Sequence, residues 1–208
     1  MGGVFMRKLW KRVVFVAVVV AMFWTGTLIA DRQRLNQELI RLHVVANSDA
    51  AEDQQIKLRV RDAIVESLRL GMEEVLDVEE AKAYLRQQLP QLEALANRVL
   101  REAGFSETAV VSLNTESFPT RDYDTFSLPA GVYEALRVTI GEGVGRNWWC
   151  VVFPEFCVPA TAEGVEHVAV SNGFPDTLGE TLTGSDGYQV RFFLLDCLGK
   201  LENLFHRT

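Results

Sequence analysis

The sequence predicts an α+β domain placed behind an N-terminal export segment. Three observations carry this: a charge-free apolar run behind a basic leader, helix-period patterns in the first half, and a change of grammar after Gly104. The order expected is an N-terminal strand, two long helices, an antiparallel sheet of short strands, and a C-terminal strand and helix.

Arg7, Lys8, Lys11 and Arg12 precede Val13 to Ala30, in which no residue is charged. Val13–Trp24 has the length of a signal-peptide apolar region, and the full run reaches the lower limit for spanning a bilayer. Thr25-Gly26-Thr27 and Ala30 match a cleavage site imperfectly, so a cleaved signal and a retained anchor both stay open. A buried core helix fits poorly, because all sides are apolar and the basic flank stands at one end. Residues 1–30 are thus read as a signal peptide or membrane anchor, and 31–208 as a single extracytoplasmic domain.

In Leu39–Val45, Ile40, Leu42 and Val44 alternate with Arg41, His43 and Val45, the pattern of a half-buried strand with His43 on its polar face. Ser48 and Asp49, with Glu52 following, supply cap oxygens for a helix. That helix carries Ile56, Val60, Ala63, Ile64 and Leu68 on one face, with Lys57 among the polar positions, and stops at Gly71. A second helix is expected from Val78 to Ala103, with Gly104 beyond its end and Pro90 kinking or splitting it.

TAVVSLN, YDTFSL, VYEALRVTI and NWWCVVF are short, β-branched and aromatic, and read as antiparallel strands or hairpins. Pro159–Thr183 reads mostly as loop, with a strand at Val165–Val170. YQVRFFLL alternates as a strand and leads into a helix through Leu195, Leu198, Leu201 and Phe205.

Without residues 1–30, which carry four basic and no acidic residues, the net charge moves from −7 to −11. An acidic surface repels phosphate backbones, so nucleic acid is not an expected partner. Cys150 and Cys157 are spaced too widely for a CxxC pair. In an oxidising compartment they could close a small loop, and three free thiols fit the spacing as well.

Two clusters are candidates for function. His43, Asn47, Ser48 and Asp49 lie at the strand-to-helix turn, although a turn and helix cap would use the same residue types. Gly141, Glu142 and Gly143 form a loop before Asn147, Trp148 and Trp149. It resembles a phosphate-cradling fragment, but a strand follows where a helix N-terminus is needed, so a flexible hairpin loop is the better reading. The two indoles fall on opposite faces of that strand. Ser48, His43 and Asp49 are too close in sequence to build a relay, and the three histidines lack metal-ligand spacing. No metal or cofactor is expected.

At IRLHVVANSDAAEDQQIKLRVRDAIVESL and SFPTRDYDTFSLPAGVYEALRVTIGEGVGRNWWCVVFPEFC the chain resembles the stage II sporulation protein R family of endospore formers. The resemblance implies a non-enzymatic signal, exported from the forespore into the intermembrane space. Its implied partner is the membrane-embedded aspartic peptidase of the mother cell that processes pro-sigma-E. It assigns no catalytic residues. The candidate receptor surface is then His43, Asn47, Asp49, Gly141, Glu142, Gly143, Asn147 and Trp148, and Cys150 and Cys157 match the family's cysteine positions. The alternative is an envelope hydrolase acting on cell-wall material, with His43 and Asp49 beside an aromatic platform at Trp148 or Trp149.

Overall fold

The computed structural model describes residues 2–72, 75–122, 127–153 and 189–206. Helix α1, Gly2–Glu38, leads into strand β1, Ile40–Val45. Helices α2, Ala51–Met72, and α3, Val78–Glu102, follow. Then come β2, Ala109–Phe118, a two-residue ladder of β3, Arg121–Asp122, with β4, Ser127–Leu128, and the strands β5, Gly131–Ile140, and β6, Asn147–Phe153. Helix α4, Gln189–His206, is the last described element. The fold is α+β, as the sequence patterns require.

The main sheet has the order β2-β5-β1-β6. β2 pairs antiparallel with β5, and β6 antiparallel with β1, but β1 and β5 run parallel. A wholly antiparallel sheet is therefore corrected to a mixed one. β5 and β6 do not form a hairpin either, because β1 lies between them.

The physical reason lies in β1 itself. All six of its residues are buried, so it needs a neighbour on each edge and cover on each face. Ile40, Leu42 and Val44 face one core with Ile56, Val60 and Ile64 of α2 and Leu85, Leu92 and Leu100 of α3. The other face holds Leu39, Phe118, Tyr133 and Ala135, with Leu195 of α4 above them. The half-buried reading of β1 fails because a second helical layer covers the side that carries Arg41 and His43. A register shift against β6 at Ile40/Arg41 lets Val152 and Phe153 both reach the first core.

α3 is one helix through Pro90, which neither ends nor splits it. Pro90 sits on the exposed side, where the carbonyl it deprives of a partner can be solvated. Asp77 Oδ1 accepts the Glu80 N–H at 2.9 Å to open α3. Gly104, at φ +82°, closes it with the paired Gly104-to-Arg101 and Phe105-to-Leu100 bonds of a Schellman motif. α3 also covers the edge of β2: Asn97 bonds both backbone groups of Ala109, and Glu93 Oε2 accepts the Val111 N–H at 3.0 Å.

The C-terminal strand expected from YQVRFFLL is overturned, since α4 is helical from Gln189. Alternation and helical spacing overlap in so short an apolar run, and its contacts with β5 and β2 favour the helix. Asp196 pins α4 by accepting the Ala130 N–H at 2.9 Å and the Thr120 hydroxyl, while Lys200 one turn on balances its charge. Gly199 lies directly against the Ala130 carbonyl, with no room for a side chain. Cys150 is disulfide-bonded and Cys197 is a free thiol, which removes the reading of three free thiols. Cys157 and the Val165–Val170 strand lie outside the described residues, as does most of YDTFSL.

Candidate functional site

β5 ends at one side of β1 and β6 begins at the other, so the connection 141–146 must pass over the C-terminal end of β1. It meets the turn that leaves β1 for α2. The Gly145 N–H donates to the Ala46 carbonyl at 3.0 Å, and the Val144 N–H to the Asn47 carbonyl at 3.3 Å. Asn47 Oδ1 accepts the Glu142 N–H at 3.0 Å, and Asp49 Oδ1 accepts the Arg146 N–H at 2.7 Å. The two candidate clusters thus form one surface.

This corrects the assignment of Asn47 and Asp49 as helix caps. Among the hydrogen bonds described, their acceptor oxygens take backbone donors of the crossing loop, and Asn47 Nδ2 donates to Asp53 Oδ2 at 3.1 Å. Ser48 serves the turn locally, accepting the Ala50 N–H and, like Asn47, donating to Asp53 Oδ2. A loop orders these partners because each unpaired backbone donor near a buried strand end is costly.

Lys57 is the residue the periodicity missed. It lies on α2 among positions read as polar, yet it is buried and its Nζ donates to the Arg146 carbonyl at 2.9 Å and to Gln54 Oε1 at 2.6 Å. Burial, reinforced by Arg146 and Arg61, pushes its pKa down. No motif marks such a residue; only the loop's position over the sheet end gives it a role.

Gly141 and Gly143 have positive φ, +57° and +64°, which lets the chain turn sharply after β5. Gly145 is buried, and a Cβ there would sit 2.2 Å from the Ser48 carbonyl oxygen. The pinned backbone leaves Glu142, Val144, Arg146, Asn147 and Asp49 exposed. Trp148 is half-exposed beside them, with the Arg61 guanidinium 4.2 Å from its ring centroid.

His43 is not on this surface. It is 5% exposed, its ring stacks on Trp149 at 3.8 Å, and its Nδ1 lies 2.7 Å from Glu116 Oε2. Arg137 pairs with the other Glu116 oxygen at 3.2 Å, and Arg41 lies over Phe118. Burial works to raise the Glu116 carboxyl, but the His43 hydrogen bond and charge, with Arg137, hold it below the ordinary range. The imidazole Nε2 and the Trp149 indole N–H are buried without a hydrogen-bond partner among the described residues. His43 and Asp49, paired in the hydrolase alternative, are engaged separately with Glu116 and Arg146.

Comparison with known proteins gives the family. The family model for stage II sporulation protein R matches residues 36–163, which include β1, the crossing loop and β6. The chain belongs to the stage II sporulation protein R family. The stage II sporulation protein R of Bacillus subtilis (strain 168) is 29% identical over 221 aligned positions, covering 92% of this chain and 99% of that protein. No solved structure matches significantly. Membership gives the protein a role in sporulation.

α1 contains one helix, Trp10–Glu38, long and apolar enough to cross a membrane, and its apolar stretch is not buried by the rest of the protein. That fits a signal peptide or an anchor. Among the described residues, no group of three or more His, Cys, Asp or Glu side chains could hold a metal ion.

Proposed function

We propose that this protein is an exported sporulation signal whose crossing-loop surface engages the extracytoplasmic side of the mother cell's membrane-embedded aspartic peptidase, switching on pro-sigma-E processing. Family membership and the N-terminal apolar helix support export and a sporulation role. The observation that carries the recognition surface is its position. α1 enters β1 at Ile40, whereas the loop 141–146 caps β1 at Val45, one strand length, roughly 20 Å, away. A protein tethered or delivered at the α1 end presents this loop away from its own membrane, toward the opposing one.

On this reading the protein does no bond chemistry itself, and the catalytic aspartates belong to the peptidase. Binding shifts the peptidase toward its active state by favouring that state over the resting one. The partner contacts are Glu142, Asn147 and Trp148, with Asn47, Asp49, Gly141 and Gly143 holding the backbone that presents them.

The test is co-expression of the exported protein with the peptidase and pro-sigma-E in a host that does not sporulate. Processing only in the triple combination is the expected result. Processing without this protein, or none with all three folded and correctly localised, refutes activation. Hydrolysis of cell-wall material by the purified protein would instead favour the envelope-hydrolase alternative.

A further inference from the structure

Helix α4 has an apolar outer side in addition to the side that packs on the sheet. Its inner side, with Leu195, Gly199 and Glu202, packs on the sheet, and Glu202 accepts from Arg32 and Asn36 of α1. Its outer side carries Phe193, Cys197, Leu201 and Leu204 at steps of four, four and three, the spacing of one helical face. Leu204 is 64% exposed and Phe205, beside it, 81%. A surface helix ordinarily places charge there.

The position of this face says what covers it. Three bonds hold the last turns of α4 at the α1 end of the sheet. Glu202 takes Arg32, Glu202 also accepts the Val132 N–H at the start of β5, and Asn203 donates to the Phe118 carbonyl at the end of β2. Arg32 lies two residues beyond Ala30, where the charge-free run stops, a rise of about 3 Å along a helix, and Asn36 about 9 Å. The interfacial zone of a bilayer is roughly 5–8 Å deep on each side. The Arg32–Glu202 pair therefore brings the last turns of α4, which carry Leu201, Leu204 and Phe205, to the level where α1 leaves its apolar run. Lys200, on α4 itself, and Arg32, paired with Glu202, stand beside them and suit the phosphate layer.

We infer that the C-terminal half of α4 is an interfacial helix that lays Leu201, Leu204 and Phe205 into the bilayer surface beside α1. The inference rests on α1 acting as an uncleaved anchor. It turns a single tether into a two-point attachment, which fixes the tilt of the domain and directs the loop 141–146 away from the membrane.

The full chain, with Cys197→Ser, is reconstituted into vesicles of equal phosphatidylethanolamine and phosphatidylglycerol. A polarity-sensitive thiol label is placed in turn by Val19→Cys, Leu204→Cys and Val144→Cys, with unchanged thermal unfolding required of each. Doxyl lipid should quench the labels at 19 and 204, with loss of iodide quenching at both, while iodide alone should quench the label at 144. Lipid quenching at 19 with iodide quenching at 204 overturns the inference and leaves the anchor intact. A label at 204 shielded from both quenchers assigns the face to a protein, such as a second copy, and also overturns it. Iodide quenching at 19 defeats the anchor reading and the inference with it.

Discussion

Replacing Glu116 by Gln would leave His43 and Arg137 without the carboxylate that both bond. The pair is largely buried, so the loss should cost about 1–3 kcal/mol at neutral pH. The sign with pH follows from the depressed Glu116 pKa. Its contribution is complete above the ordinary glutamate range and is lost as pH falls through the lower folded-state value. Thermal unfolding of both proteins should therefore converge toward acid pH; a gap that persists there would separate Glu116 from charge pairing. His43→Ala removes a stacked core ring, with a cost in the range of about 2–5 kcal/mol, so it is an unsuitable probe of recognition. From sequence alone His43 looked exposed, since alternation places it opposite Leu42 but says nothing about what covers that face. Glu116, seventy-three residues away, carries no local mark of its partner.

At the scale of elements, α3 holds a proline where its helix continues. Pro90→Ala restores a backbone donor and removes a ring clash, so it should stabilise the protein by roughly 1–3 kcal/mol in thermal or urea unfolding. An unchanged or lowered midpoint would mean the helix has adapted to the ring. Gly145→Ala should do the opposite, because its Cβ meets the Ser48 backbone and the loop must lift from Asn47 and Asp49. Hydrogen exchange should then accelerate at Glu142, Val144 and Arg146 while the amides of β5 keep their protection; unaltered exchange would show that the contacts do not hold the loop. Helices α2 and α3 were legible because they are long and periodic and have stop signals. β2, β5 and β6 were legible from β-branched runs between Gly and Pro. The parallel pairing of β1 with β5 was not, because strand order is decided by burial of the whole strand and not by its neighbours in sequence. The same limit hid the meeting of the two candidate clusters: both were visible, but only the insertion of β1 between β5 and β6 makes them one surface. α4 was half legible, its first turns mimicking a strand.

For the whole molecule, the ends of β1 organise the account: α1 and the last turns of α4 gather at one end, the crossing loop at the other. On the proposed reading, attachment and recognition would lie at opposite ends of this one strand. Replacing the apolar run by another secretion signal should keep signalling if the leader only delivers the domain, and the interfacial α4 would then hold it more weakly. Under the proposed function the peptidase reads the loop surface. Glu142 and Trp148 are the residues to change: Glu142 is exposed, where a substitution shifts stability by about 0.5 kcal/mol, and Trp148 is half-exposed under Arg61, where loss of the ring costs about 1–3 kcal/mol, still below the stability of a typical domain. A recognition surface concentrates its energy in few side chains, aromatic ones above all. The decisive measurement is pro-sigma-E processing in the triple co-expression with the Glu142→Ala, Trp148→Ala double variant, alongside its export and thermal midpoint. Abolished processing by an exported protein that remains folded at the assay temperature is the predicted result; normal processing by that protein would contradict the claim.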